Sequence, residues 1–163
     1  MERRDFLKTS LLTIFSLYGI SENMSCIAGE NTAHAHHTGS GLDPFTGVYS
    51  GTLTNERVMM PDVFSRLMLQ EPFALIVPER NTSALLVSEN SPEWEMLKHL
   101  FDAADKNDPT NLRERAEIDG EGSLYLPERV RKFAGIHTPA IAIIGHGFVI
   151  EIIDSELYHS RVI

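Results

Sequence analysis

Apolar and polar positions change period several times along this chain, and each change marks an element. From Phe45, the residues Val48, Ser50 and Thr52 alternate with Tyr49, Gly51 and Leu53, the two-residue period of a half-buried strand. Asn55-Glu56 supplies turn residues, and Arg57 to Met60 begins a return strand. Pro61 then opens a helix at a place where its missing N–H costs nothing, with Val63, Phe64, Leu67 and Met68 on the face turned inward. Asp62, Ser65 and Arg66 fall on the outward face. Phe73 to Val77 and Ala84 to Val87 read as short apolar strands joined across the turn-rich loop 78–83. Ser91 caps a second helix that begins at Pro92 and buries Trp94, Leu97, Leu100 and Phe101.

The same order of parts then returns. Thr52-Leu-Thr-Asn-Glu-Arg-Val-Met-Met-Pro61 finds its match in Ile118-Asp-Gly-Glu-Gly-Ser-Leu-Tyr-Leu-Pro127. Asp119 and Gly122 are turn formers, the first through local backbone bonds and the second through freedom at positive φ. A helix follows from Glu128 to Ala134 with Gly135 as its C-cap. Ile141 to Ile144 and Phe148 to Ile153 then flank a tight turn at Gly145-His146-Gly147. Asp154 or Ser155 caps a last helix that runs through Tyr158, the counterpart of Trp94 and, like it, a core anchor.

A unit of roughly 50 residues cannot bury enough apolar surface alone, so each copy must pack on its twin. The expectation is an α+β fold in which tandem β-β-α-β-β-α repeats make one pseudo-twofold domain. The first repeat covers 45–101, a polar connecting segment around Asn107-Asp108-Pro109 covers 102–117, and the second repeat covers 118–161.

The residues before Phe45 follow a different pattern. Arg3-Arg4-Asp5-Phe6-Leu7-Lys8, a moderately apolar stretch, and Ala33-His34-Ala35 make 1–35 resemble a twin-arginine export leader, unless translation starts at Met24 or later. Residues 36–44 continue a Ser-, Asn-, Gly- and His-rich stretch without apolar period and read as a flexible linker. His34, His36 and His37 are read as incidental to it, so no metal or other cofactor is expected.

Composition narrows the function classes. The 163 residues are 42% hydrophobic, enough for one ordinary core, and no apolar run has transmembrane length. Fourteen Lys and Arg stand against 23 Asp and Glu, a net charge of −9, which argues against broad attraction to nucleic acid or anionic membrane while leaving room for a local basic site. The single cysteine, Cys26, excludes an intrachain disulfide and a cysteine-based zinc site. No nucleophile-base arrangement or phosphate-cradling glycine motif has a recognisable context, and His137 and His146 read as solvated turn residues, so an enzyme is not expected.

The repeated residues resemble a known family, the MraZ proteins. Asp119-Gly-Glu-Gly122-Ser-Leu-Tyr-Leu-Pro127, Phe133-Ala-Gly135-Ile, Ile141-Ala-Ile-Ile-Gly145 and Val149-Ile-Glu-Ile-Ile-Asp154 look like the second half of those proteins. Phe45-Thr-Gly47-Val-Tyr49 and Thr52-Leu53 resemble their opening, so the likeness spans about 45 to 161. It implies an AbrB-like swapped-hairpin barrel and a regulator that binds double-stranded DNA at promoter repeats. By the same resemblance it would act on division and cell-wall genes in the nucleoid, as a cytoplasmic homo-oligomeric ring with no small-molecule substrate and no membrane partner.

The family signature D-x-x-G-R should occur once per repeat, and here it is eroded. In the first copy Thr54 replaces the aspartate, Glu56 stands at the glycine, one residue is missing, and Arg57 survives. In the second, Asp119 and Gly122 survive but Ser123 replaces the arginine. A guanidinium can hold a guanine edge or a phosphate with two bonds, and a serine cannot. Arg57 is therefore the candidate DNA contact, its alternative being a solvated charge beside a turn. Arg129, Arg131 and Lys132 make a basic cluster that could meet phosphates or simply be a solvated helix face. The competing expectation is an exported, divergent module that keeps the fold and has lost DNA.

Overall fold

The computed structural model describes residues 45–78, 80–103 and 112–162, so the expectations placed on 1–44, including the leader, the linker, Cys26 and the histidines at 34, 36 and 37, lie outside the described residues. The strands are β1 (Phe45–Thr54), β2 (Arg57–Met59), β3 (Phe73–Val77), β4 (Ala84–Ser88), β5 (Leu112–Arg115), β6 (Glu117–Ile118), β7 (Ser123–Tyr125), β8 (Ala140–Gly147) and β9 (Val149–Asp154). Four helices are present among the described residues: α1 (Asp62–Met68), α2 (Pro92–Ala103), α3 (Glu128–Ala134) and α4 (Ser155–Val162).

All strand pairings are antiparallel, in the order β5-β3-β4-β9-β8-β1-β2-β7-β6. The first and last strands of that order, β5 and β6, are separated along the chain by Ala116 alone, so the sheet comes nearly full circle. The result is an α+β fold around a barrel-like sheet, which leaves few strand edges open.

The core fills this curved sheet. Phe45 stands edge-on to Phe64 at 5.3 Å and to Phe73 at 5.7 Å between ring centroids, and Tyr49 meets Phe64 at 5.1 Å. These T-shaped contacts match the positive edge of one ring to the negative face of the next. Val58, Met60, Leu124, Leu126, Val130, Ile141 and Ile152 close the same cluster. β3 and β4 are buried along their whole length because α2 covers their other side with Trp94 and Leu97. A third, smaller cluster of Ala142, Ile144 and Ile153 lies under Leu157 and Tyr158 of α4.

Several expectations are met in detail. Asn55 and Glu56 form a two-residue turn with φ of 50° and 63°, and Leu53↔Val58 and Thr54↔Arg57 pair across it. Ser91 Oγ accepts from the Trp94 N–H at 3.2 Å, the expected N-cap. Asp154, rather than Ser155, caps α4 by accepting from the Glu156 N–H at 3.0 Å.

Others are corrected. Leu112-Arg-Glu-Arg115, placed in the connecting segment, is strand β5, because β3 offers it a full ladder from Ala74↔Arg115 to Val77↔Leu112. Its polar pattern hid it, since the strand is held by its partner and not by its own propensity. The last hairpin turns at Gly147-Phe148, one or two residues later than expected: Gly145 and His146 remain in β8, and His146 pairs with Val149. Val63 is half exposed at 50%, because a helix as short as α1 buries only the Phe64–Met68 stripe. Tyr158 is half-buried, since α4 buries no residue fully, while the side chains of Leu100 and Phe101 lie outside the described residues.

Gly145 lets β1 lie close against its ladder partner β8. A Cβ there would come within 2.6 Å of the Phe45 carbonyl carbon and the Thr46 nitrogen, both backbone atoms that cannot move aside. Gly145→Ala is therefore expected to lower unfolding free energy by about 1–3 kcal/mol. Gly120→Ala, where a Cβ meets nothing within 4 Å, is expected to stay within about 0.5 kcal/mol of the parent. Equal urea midpoints for the two variants would refute the close approach.

Candidate nucleic-acid interface

β2 and β7 pair antiparallel through Arg57↔Tyr125, Val58↔Leu124 and Met59↔Ser123, which sets the β1–β2 turn beside Leu126 at one end of this short ladder and the β6–β7 turn beside Met60 at the other. The Arg57 guanidinium donates from Nη1 to Asp119 Oδ2 at 3.1 Å and lies 5.8 Å from the Tyr125 ring centroid. Its side chain is 45% exposed, so the ion pair is a surface one worth about 0–1 kcal/mol. A phosphate or base edge could displace Asp119 at small cost.

Asp119 does two jobs. Its Oδ1 accepts from the Glu121 and Ser123 N–H groups at 3.0 and 2.9 Å, the turn-forming role read from the sequence, and its Oδ2 holds Arg57. That second role could be found only with the β2–β7 register in hand. Gly122 adopts φ 82°, and a Cβ there would lie 2.6 Å from Ser65 Cβ, so both the turn and the seating of α1 require glycine. Ser123, at the place of the missing signature arginine, is buried and offers nothing to an external ligand.

The three basic residues of α3 do not form one cluster. Arg131 turns toward the hairpins, donating from Nη2 to Glu56 Oε1 at 2.9 Å and from Nε to the Leu126 carbonyl at 3.1 Å. Glu56 Oε2 also accepts from the Tyr125 hydroxyl at 3.2 Å. The Glu56 charge, with burial and that hydrogen bond, pushes the Tyr125 phenol above its ordinary value, and Arg131 only partly offsets this. Glu56 thus occupies left-handed backbone, at a cost of about 1 kcal/mol, while its carboxylate joins the first turn to α3.

Arg129 and Lys132, three apart, share the other face of α3. Lys132 Nζ lies 2.6 Å from Glu128 Oε1, and its hydrogen bond and charge hold the Glu128 carboxyl below its usual value. Arg129 reaches Glu114 only at 4.0 Å and is 70% exposed. Arg80, which carried no periodic signal in its loop, joins them around one shallow depression.

His146 departs most from its expected solvation. Its Nε2 lies 2.9 Å from Glu151 Oε2, and the two side chains are 13% and 14% exposed. Arg161 of α4 donates to Glu151 Oε1 at 3.2 Å and to the Thr82 carbonyl at 3.1 Å. Burial alone would raise the Glu151 carboxyl, but hydrogen bonds from His146 and Ser83 and the charges of His146 and Arg161 bring it below its ordinary value. His137 is exposed, as expected, and only its backbone N–H is engaged, donating to Asp154 Oδ2 at 2.9 Å.

Among the described residues no group of three or more His, Cys, Asp or Glu is placed to hold a metal, and no helix is long and apolar enough to cross a membrane. Comparison with protein-family models returns no match, and comparison with curated proteins returns none either.

Asp154 gives this region a defined response to acid. Its burial opposes ionisation, but the Thr138, His137 and Glu156 N–H groups and the Thr138 hydroxyl outweigh that and hold the carboxyl below its ordinary value. Because Asp154 and Glu151 are both lowered on folding, the stability they contribute is complete above about pH 5 and is lost as pH falls through their folded values. Asp154→Ala is expected to cost about 2–4 kcal/mol at neutral pH and to flatten the acid limb of the stability profile. An unchanged acid limb in urea titrations at a series of pH values would refute this.

Proposed function

We propose that this chain is a DNA-binding transcriptional regulator on the plan of the MraZ proteins, acting on division and cell-wall genes as a ring-shaped homo-oligomer. In this reading two β-β-α-β-β-α repeats exchange strands within one swapped-hairpin barrel. The pattern of strand pairing supports it. With β5 and β6, parted by Ala116 alone, taken together as the counterpart of β1, β1 pairs with β8 while β5 pairs with β3, each the first strand of one repeat against the third of the other. β1–β2 and β6–β7 are matching hairpins, β3–β4 and β8–β9 are matching hairpins, and β2–β7 and β4–β9 join like strand to like. Exchanging the repeats returns the same ring of strands.

The observation that carries the DNA reading is Arg57, exposed on the paired hairpins and restrained by a surface ion pair with Asp119 and a contact with the Tyr125 ring. One such arginine per subunit is a weak site, but a ring presents several at once, and linked weak contacts multiply through effective concentration. A specific observation also favours a second reading, an exported module of the same fold that no longer binds DNA. Glu56, Asp119 and Glu121 share the hairpin turns with Arg57, and Glu117 lies in β6 beside them, a surplus of acid where a duplex would approach.

Selection of duplexes from a random pool by the purified full chain at low salt separates the readings. The regulator should enrich a repeated element, and Arg57→Ala should weaken binding about tenfold or more, the scale of one lost bidentate base contact. Asp119→Asn, which frees Arg57, should not weaken phosphate-dependent affinity. No enrichment at low salt, or enrichment indifferent to Arg57→Ala, overturns the first reading.

A further inference from the structure

The depression bordered by Arg80, Leu112, Glu128, Arg129, Lys132 and Phe133, with a volume of about 410 Å³, lies apart from the hairpin edge. We infer that it is a binding site for a small phosphate monoester with an apolar or aromatic substituent. Three cations reach it from two separate elements in a chain whose net charge is −9. Arg80 has no ion-pair partner among the described residues, and Arg129 has only Glu114 at 4.0 Å. Lys132 is paired with Glu128 on an exposed face, a contact that an incoming dianion can replace at little cost. Leu112 and Phe133 give the wall an apolar part, so the site has the charged-head, apolar-body character of small-molecule pockets.

The arginine that completes the site is held there. The Asn81 N–H donates to the Phe133 carbonyl at 2.8 Å, tying the β3–β4 loop to α3, and Arg161 of α4 grips the Thr82 carbonyl at 3.1 Å. The two residues after Arg80 are thereby fixed from both sides. Where the sequence match aligns Pro61 with Pro127, the residues Glu128, Arg129, Lys132 and Phe133 correspond to Asp62, Val63, Arg66 and Leu67. The same helix is thus built on α1 without Arg129's charge, and the matching β8–β9 turn is too short to carry an Arg80. Lys132 is matched by Arg66, so what sets this side apart is the pair of arginines, and their convergence with Lys132 points to a ligand. Arginine forks and a lysine point charge suit the three oxygens of a phosphate monoester.

The inference does not depend on DNA binding. Titrating the full chain with phenyl phosphate, inorganic phosphate and benzyl alcohol, followed by backbone amide NMR shifts, tests it. Phenyl phosphate should move the amides of Arg80, Asn81, Arg129, Lys132 and Phe133 and should bind more tightly than either fragment probe. Arg80→Ala and Arg129→Ala should each weaken it by about fivefold to tenfold, and Arg80→Lys should recover part of the loss. Both positions are exposed, so the variants should keep the parent fold. Undisturbed amides at millimolar phenyl phosphate, equal affinity for inorganic phosphate, or affinity indifferent to both alanine variants overturns the site. So does competition by duplex DNA at lower phosphate concentration than phenyl phosphate requires, which would make the depression a backbone contact.

Discussion

The eight-pair ladder between β1 and β8, from Phe45↔Gly147 to Thr52↔Ala140, is the contact on which the rest of the molecule depends. It joins the first described strand to one that begins far later in the chain, so neither half can complete its sheet without the other. Phe45, at the far end of that ladder, is driven into the core between Phe64 and Phe73. The close pairing works because Gly145 presents no side chain where the β1 backbone lies against it. Ladders of such sequence separation close slowly, since loop entropy is lost before the contacts are gained. Stability and folding rate are therefore governed by the same interlock.

On that frame the polar groups act as ties between elements more than as an open recognition surface. Glu56 links the first turn to Arg131 and Tyr125, Asp119 links the second turn to Arg57, and Asp154 links the cap of α4 to the 137–138 backbone. Glu151 gathers His146 from its own hairpin and Arg161 from α4. Glu56 and Asp119 meet donors more than sixty residues away along the chain, while Asp154 and Glu151 tie together neighbouring elements of the last hairpin and α4. The acidic excess of the chain is thus in part structural, with several acids consumed by cross-links.

Most of the elements were legible because their signals are local. Pro61 and Pro127 before helices, Ser91 and Asp154 as caps, Asn55-Glu56 in a turn, and the Val-, Ile- and Leu-rich runs of β3, β4 and β9 all act through neighbouring residues. β5 was not legible, because Leu-Arg-Glu-Arg becomes a strand only beside β3. The His146–Glu151 contact is diagonal across a hairpin, and it becomes visible once the turn is placed at Gly147-Phe148. Taking Gly147, with φ 77°, as the first residue of a two-residue turn would have given that register. At the candidate interface Arg57 could be named from its place in the repeated segment, but its partner Asp119 could not. Arg131 was grouped with Arg129 and Lys132 by sequence alone, and helical geometry separates them.

The charge around the paired hairpins bears on how nucleic acid could be approached. At the paired hairpins one exposed arginine stands among acids, with a second arginine, Arg131, already committed to Glu56. A single good base contact contributes about 1–3 kcal/mol, while each nearby carboxylate repels the phosphates that give duplex binding most of its strength. One subunit therefore cannot hold a duplex firmly by this edge. The exchange of repeats makes the point sharper, because the counterpart of the Arg57–Asp119 pair would be Ser123 with Thr54. Both of those members are short hydroxyl residues, so the matching position carries neither a cation nor an acid. If the chain reads DNA, it reads through one contact per subunit and relies on assembly for affinity, which ties occupancy of an operator to the number of subunits in line with it.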